Sequence, residues 1–192
     1  MVKKLLFVSL IISIFSGAAS LIQTTNAQNA GKQKNGKTIR ASAVIAGAFD
    51  SKISGEATFE QKDDGILPTV LIRLRVKGLE PNSVHGVHIH EVGKCEANFA
   101  SAGGHFDPGA FGQSALDNHP YHMGDIPNLT ANKKGVATLE YRTSRVSLSS
   151  GLLSLFDENG SAIVVHAGED KGTPNNAGGE RIGCGIIQAA RK

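Results

Sequence analysis

Val84-His85-Gly86-Val87-His88-Ile89-His90-Glu91 is the stretch on which the reading of this chain turns. Its alternation of apolar residues and histidines has the two-residue period of a β-strand, in which successive side chains point to opposite faces. His88 and His90 therefore share one face, and His85, Val87 and Ile89 share the other. Two imidazoles side by side on a rigid strand form half of a metal site. A lone His-x-His is equally compatible with a strand whose histidines face water, so the remainder of the chain has to decide. All seven histidines fall between His85 and His166, with none before or after. Imidazole is the commonest protein metal ligand and suits copper and zinc.

The elements around this stretch are also β. Thr69 to Lys77 alternates strictly, with Val70, Ile72, Leu74 and Val76 on one face and Arg73, Arg75 and Lys77 on the other, as a half-buried antiparallel strand should. Further strands are expected over 39–49, 56–61, 84–91, 135–142, 161–166 and 181–188, separated by Gly- or Pro-containing breaks. No amphipathic helix, repeat or coiled coil is evident. Many short strands and 23 glycines predict an all-β domain, a sandwich or a barrel. Two connections, 92–132 and 167–180, are too long to be turns. Long loops on a β scaffold usually carry function.

The N-terminus reads as an address. Lys3 and Lys4 precede an apolar run from Leu5 to Phe15, and Thr25-Asn26-Ala27 closes the segment. This is the pattern of a secretory signal peptide over 1–27, and the run is well short of the ~20 residues of a membrane span. Residues 28–37 are polar and expected to be a disordered linker. Residues 38–192 then form one domain, with no membrane association expected once the signal is removed. Losing Lys3 and Lys4 takes most of the +3 formal charge. A nearly neutral chain does not point to nucleic acid. Cys95 and Cys184 are the only cysteines. In an exported protein such a pair predicts a disulfide. Asn128-Leu129-Thr130 fits a glycosylation acceptor, a pattern common by chance.

Five motifs, in order, carry a resemblance that spans the chain from about Thr38: Gly-Val-His-Ile-His-Glu (86–91), Ser-Ala-Gly-Gly-His-Phe-Asp-Pro (101–108), His-Met-Gly-Asp (122–125), Val-Val-His-Ala (164–167) and Arg-Ile-Gly-Cys-Gly (181–185). Together they resemble the copper/zinc superoxide dismutases in their secreted bacterial form. The resemblance implies a Greek-key β-barrel or sandwich of immunoglobulin-like architecture with two long functional loops. It implies dismutation of superoxide to dioxygen and hydrogen peroxide by a redox-cycling copper with an adjacent zinc. By the same resemblance His88, His90, His105 and His166 match copper ligands, and His105 bridges to zinc. His122 and Asp125 match zinc ligands, and Asp170 matches a carboxylate that links the two sites. Arg181 matches the arginine that receives the anion, and Cys95 and Cys184 match the family's disulfide. His85 matches a structural histidine. Family members include homodimers and monomers, and a periplasmic or secreted location is implied.

One position departs from the pattern. Gln113 stands eight residues after His105, where the family has a zinc-ligand histidine. Gln is a poor zinc ligand beside imidazole. His119, otherwise unassigned, is the expected replacement. The loop over 167–180 is short and offers only Glu169, Asp170, Lys171 and Glu180 as charges, so little electrostatic steering is expected. The competing reading is a non-catalytic periplasmic copper- or zinc-binding protein, since fold does not fix function. Arg181 argues against it, because a metal store needs no anion receptor. A plain adhesive sandwich would leave the histidines unexplained.

Overall fold

A computed structural model describes residues 37–62, 68–109, 122–172 and 176–190. The expected signal peptide, nearly all of the linker, Gln113 and His119 lie outside the described residues.

The described chain is all-β. Its strands are β1 (Thr38–Gly47), β2 (Ser54–Lys62), β3 (Thr69–Lys77), β4 (Val84–His85), β5 (Val87–His90), β6 (Leu129–Thr130), β7 (Val136–Thr143), β8 (Ala162–His166), β9 (Arg181–Ile186) and β10 (Gln188–Ala189). A single 3-10 turn, Ala100–Ala102, lies in the first long loop. No helix among the described residues is long and apolar enough to cross a membrane. The main sheet runs β5-β8-β9-β1-β2-β3-β7, with β10 added to β1, and every strand pair is antiparallel. β4 and β6 pair separately, joining the segment that enters β5 to the one that precedes β7. The sheet thereby curls into a half-barrel with Greek-key crossovers.

The expected strands are present, with three differences. The stretch 84–91 is broken at Gly86, whose N–H donates to the Gly168 carbonyl and whose carbonyl accepts from the His166 N–H. A side chain at Gly86 would crowd Asp170, so the break is where the second long loop approaches the strand. The stretch 181–188 is split at Ile187, whose N–H donates to the Ser161 carbonyl, into β9 and β10. The third difference is β6, whose two residues are too few to leave a periodic signal.

The core follows the period-two pattern. Ala41, Ala43 and Ile45 of β1, Ala57 and Phe59 of β2 and Val70, Ile72, Leu74 and Val76 of β3 point inward. They meet Val87 and Ile89 of β5 and Ile163 and Val165 of β8. Most of their neighbours along β1, β2 and β3 face water, as with Val44, which is 81% exposed, while Leu71 is buried. β5 and β8 differ: all their residues are buried. Their second face carries His88, His90, Ala162 and Val164, opposite Cys184 in the register. A smaller cluster of Phe99, Ala102, Ala162, Val164 and Cys184 covers it. The Cys95–Cys184 disulfide closes across 89 residues and pins this covering loop to β9. By loop-closure entropy a cross-link of that span is worth ~4–5 kcal/mol.

The two faces make opposite demands on substitution. Phe59→Ala, in the core, is expected to cost ~3–5 kcal/mol. Val44→Ala, on the exposed face, should stay within ~0.5 kcal/mol. Urea unfolding of both variants checks this, and equal losses would mean the sheet faces are assigned wrongly.

Candidate metal centre

β5 delivers His88 and His90, and β8 ends on His166. His105 comes from the first long loop, which lies along the free edge of β5. There Phe106 N–H donates to Ile89 O at 2.8 Å and Ile89 N–H donates to Gly124 O at 2.9 Å. These bonds put His105 beside His90 and Asp125 beside His88. Residues as far apart in sequence as His88 and His166 thus come together. The His88 and His105 rings stack with centroids 3.9 Å apart, and His88 and His166 centroids lie 4.8 Å apart.

The outward nitrogen of each ring is held by an acceptor. His90 Nδ1–H donates to Gly103 O at 3.1 Å, and His166 Nδ1–H donates to Gly179 O at 2.9 Å. His88 Nε2–H donates to Asp170 Oδ2 at 2.8 Å. Carbonyls and carboxylates only accept, so each of these nitrogens must carry the proton. The opposite nitrogen then carries a lone pair. Those opposite atoms, His88 Nδ1, His90 Nε2 and His166 Nε2, are buried with no hydrogen-bond partner among the described residues. An unsatisfied buried acceptor costs ~1–3 kcal/mol. Three of them in one pocket are the arrangement expected of a cation site. One ligand atom from each of His88, His90, His105 and His166 lies within 4.8 Å of the others.

A second group adjoins the first. His105 Nδ1–H donates to Asp125 Oδ1 at 2.7 Å, and His122 N–H donates to Asp125 Oδ2 at 2.7 Å. His105, His122 and Asp125 also bring their ligand atoms within 4.8 Å of one another. His105 is common to both groups. Imidazole and carboxylate donors suit copper and zinc, so the residues present fit both metals. Gln113 and His119 lie outside the described residues.

The electrostatics keep the rings of His88, His90 and His166 neutral. Burial, reinforced by the neighbouring His105, lowers His90 to about 2. Burial also leads the fall of His88 to about 4, with His105 and His166 adding to it, and it lowers His166. For Asp125, burial alone would raise the carboxyl. The hydrogen bonds from His105 and the His122 N–H overcome this and bring it down to about 2.

Arg181, at the start of β9, donates from Nη1 to Phe99 O at 2.7 Å and from Nη2 to Gly103 O at 2.6 Å. Gly103 O also holds His90, so one carbonyl anchors both side chains. Gly103 sits at φ +74°, where a Cβ would meet the Glu91 carboxylate. Asp170 reaches His88 with one oxygen. Its other oxygen accepts the Gly172 N–H at 2.7 Å. His85 is buried between Ser83 Oγ and His166 O, a structural position. The anchoring carbonyls of Gly103 and Gly179, and Asn128, were not legible as site residues. Backbone carbonyls carry no side-chain signal, and Asn128 announced only an acceptor pattern.

Comparison with known proteins agrees with this geometry. A family model for copper/zinc superoxide dismutase matches residues 53–187. Superoxide dismutase [Cu-Zn] 2 of Aquifex aeolicus is 38% identical over 143 residues, covering 72% of this chain and 81% of the relative. Superoxide dismutase [Cu-Zn] of Caulobacter vibrioides is 39% identical over 154 residues, covering 77% and 85%. Extracellular superoxide dismutase [Cu-Zn] of Drosophila melanogaster is 35% identical over 167 residues, covering 81% and 88%. Matched over most of its length, with a buried four-histidine cluster where the family's sequence motifs converge, this chain belongs to the copper/zinc superoxide dismutase family.

Proposed function

We propose that this protein removes superoxide outside the cytoplasm, converting two superoxide anions and two protons to dioxygen and hydrogen peroxide. The observation that carries the reading is the trio of buried, partnerless imidazole lone pairs on His88, His90 and His166. His88, His90, His105 and His166 are the residues that hold copper. His105, His122 and Asp125 hold zinc, and His119 is its fourth ligand, because structural zinc sites are closed by four donors. Copper, when bound, supplies one-electron redox chemistry that no side chain offers.

The protein's own residues do the rest. Arg181 binds the anion. Two of its five N–H donors are committed to the Phe99 and Gly103 carbonyls, which fix the guanidinium and leave the others free for a small anion. Its charge is permanent, so it docks substrate without exchanging protons. His105 turns Nδ1 toward Asp125, on the side where zinc would be held, so its Nε2 is the atom that can hold a proton and pass it to the reduced substrate. Gly103 O, Gly179 O and Asp170 orient the remaining rings, the role outer hydrogen bonds play around metal ligands. Residues 1–27 direct export, to the periplasm or beyond, and the Cys95–Cys184 disulfide suits an oxidising compartment. The extracellular name of one relative supports that location.

The test is the rate of superoxide consumption by the copper- and zinc-loaded mature protein. His90→Ala is expected to abolish it nearly completely. Arg181→Glu should slow it at least tenfold with both metals retained. Tight copper binding without consumption would favour the metal-store reading instead. His119→Ala is expected to lower bound zinc with copper unchanged, measured by elemental analysis after dialysis; full zinc retention would remove His119 from the site.

The lowered histidine values give a pH dependence for the metal-free protein. The unfolded histidines take up protons near 6.5, whereas folded His88 resists until about 4 and His90 until about 2. Below 6.5 the unfolded state binds more protons, so stability is present above pH 6.5 and falls progressively as pH drops toward these values. Urea midpoints from pH 8 to 4 should show this decline, and His90→Phe should flatten it. A midpoint independent of pH over that range would contradict the assignment.

A further inference from the structure

Asp170 is the one side-chain acceptor among the three groups that hold the His88, His90 and His166 rings, and it sits on a loop rather than a strand. What fixes it is Asn128. Asn128 Nδ2–H donates to Asp170 O at 2.9 Å, and Asn128 Oδ1 accepts the Asp170 N–H at 3.1 Å. Both heteroatoms of one amide thus clamp both polar groups of one residue's backbone. The Asp170 carboxylate is then held at each oxygen, by His88 Nε2–H and by the Gly172 N–H. Its side chain is 16% exposed, while that of His88 is fully buried. We propose that Asn128 is a positioning residue for the copper half of the site, acting through Asp170 to set the tautomer of His88.

The chain of cause is short. A carboxylate accepts only, so a fixed Asp170 keeps the proton on His88 Nε2 and the lone pair on Nδ1, the atom left buried and partnerless. A loosened Asp170 removes that bias. Asn128 also lies three residues after Asp125, on the segment that carries the His122 and Asp125 groups. The second oxygen of Asp170 accepts the Gly172 N–H of its own loop. The clamp joins the two halves of the site, through the backbone from Asp125 to Asn128 and then to Asp170. It also gives the Asn128-Leu129-Thr130 stretch a use unrelated to glycosylation, since the amide is already engaged.

The inference rests on the assignment of His88 to copper, and the experiment separates the two. In metal-free protein labelled with 15N at histidine, long-range proton–nitrogen spectra read the His88 tautomer directly. The parent should show the Nε2–H form, and Asn128→Ala a mixture of both forms in a protein that still unfolds cooperatively. Chelator competition should show copper binding about tenfold weaker in Asn128→Ala and 10–100-fold weaker in Asp170→Asn. The double variant should be no weaker than Asp170→Asn alone, because the two act in series. An unchanged tautomer in folded Asn128→Ala, or losses that add in the double variant, would overturn the proposal. If Asn128→Ala does not fold, Asn128→Asp, which keeps the acceptor and loses the donor, is read the same way. A parent that takes up no copper, with the tautomer still shifting in Asn128→Ala, would overturn the copper assignment and support the clamp.

Discussion

Three imidazole nitrogens are buried with their lone pairs unanswered because the other nitrogen of each ring is tied to something that can only accept a hydrogen bond. Gly103 O, Gly179 O and the Asp170 carboxylate leave no choice of tautomer for His90, His166 and His88. Much of the architecture serves that constraint. The rings must be dry, or water would satisfy them, and they must be close, or no single cation could. β5 and β8 meet both conditions by being buried on both faces, one against the barrel core and the other under the first long loop.

That covering loop is not held by secondary structure. Between Cys95 and Gly103 it has only a one-turn 3-10 segment and three successive non-glycine residues at positive φ, Ala97, Asn98 and Phe99. Its fixed points are the disulfide to Cys184 and the two bonds from Arg181 to its carbonyls. Both fixed points sit on β9, next to the strand that ends in His166. Arg181, the proposed anion receptor, is therefore also a brace for the loop that holds His90. Anion binding and ligand geometry are linked by the Gly103 carbonyl, and β9 is the element through which either would be disturbed.

The two metal groups are built by different means. On the proposed copper side, strands, two backbone carbonyls and the Asp170 carboxylate position His88, His90 and His166. On the zinc side, Asp125 does it, with one oxygen on the His105 ring and the other on the His122 backbone N–H. The Arg145 guanidinium in turn donates to the Asp125 carbonyl and, at 3.1 Å, to Tyr141 Oη, which fastens the segment to β7. Loss of order on the zinc side would reach the copper side along His105, which belongs to both, and along Asn128, which belongs to the same segment.

The sequence by itself determined the strands, because alternation with period two is a local property: Val70 to Lys77 could not bury its valines and leucines without exposing its arginines. It also determined the identity of the ring-bearing residues, since histidines cluster and motif spacing is visible along the chain. What only the tertiary structure decided is which nitrogen of each ring is free. That depends on backbone carbonyls of Gly103 and Gly179 and on an amide at Asn128, groups that have no signature in a list of side chains. The break at Gly86 belongs to the same class, because it is required by the approach of Asp170 from a loop more than eighty residues away. Local pattern fixes which way a side chain points, but satisfying a buried lone pair is a property of the whole fold.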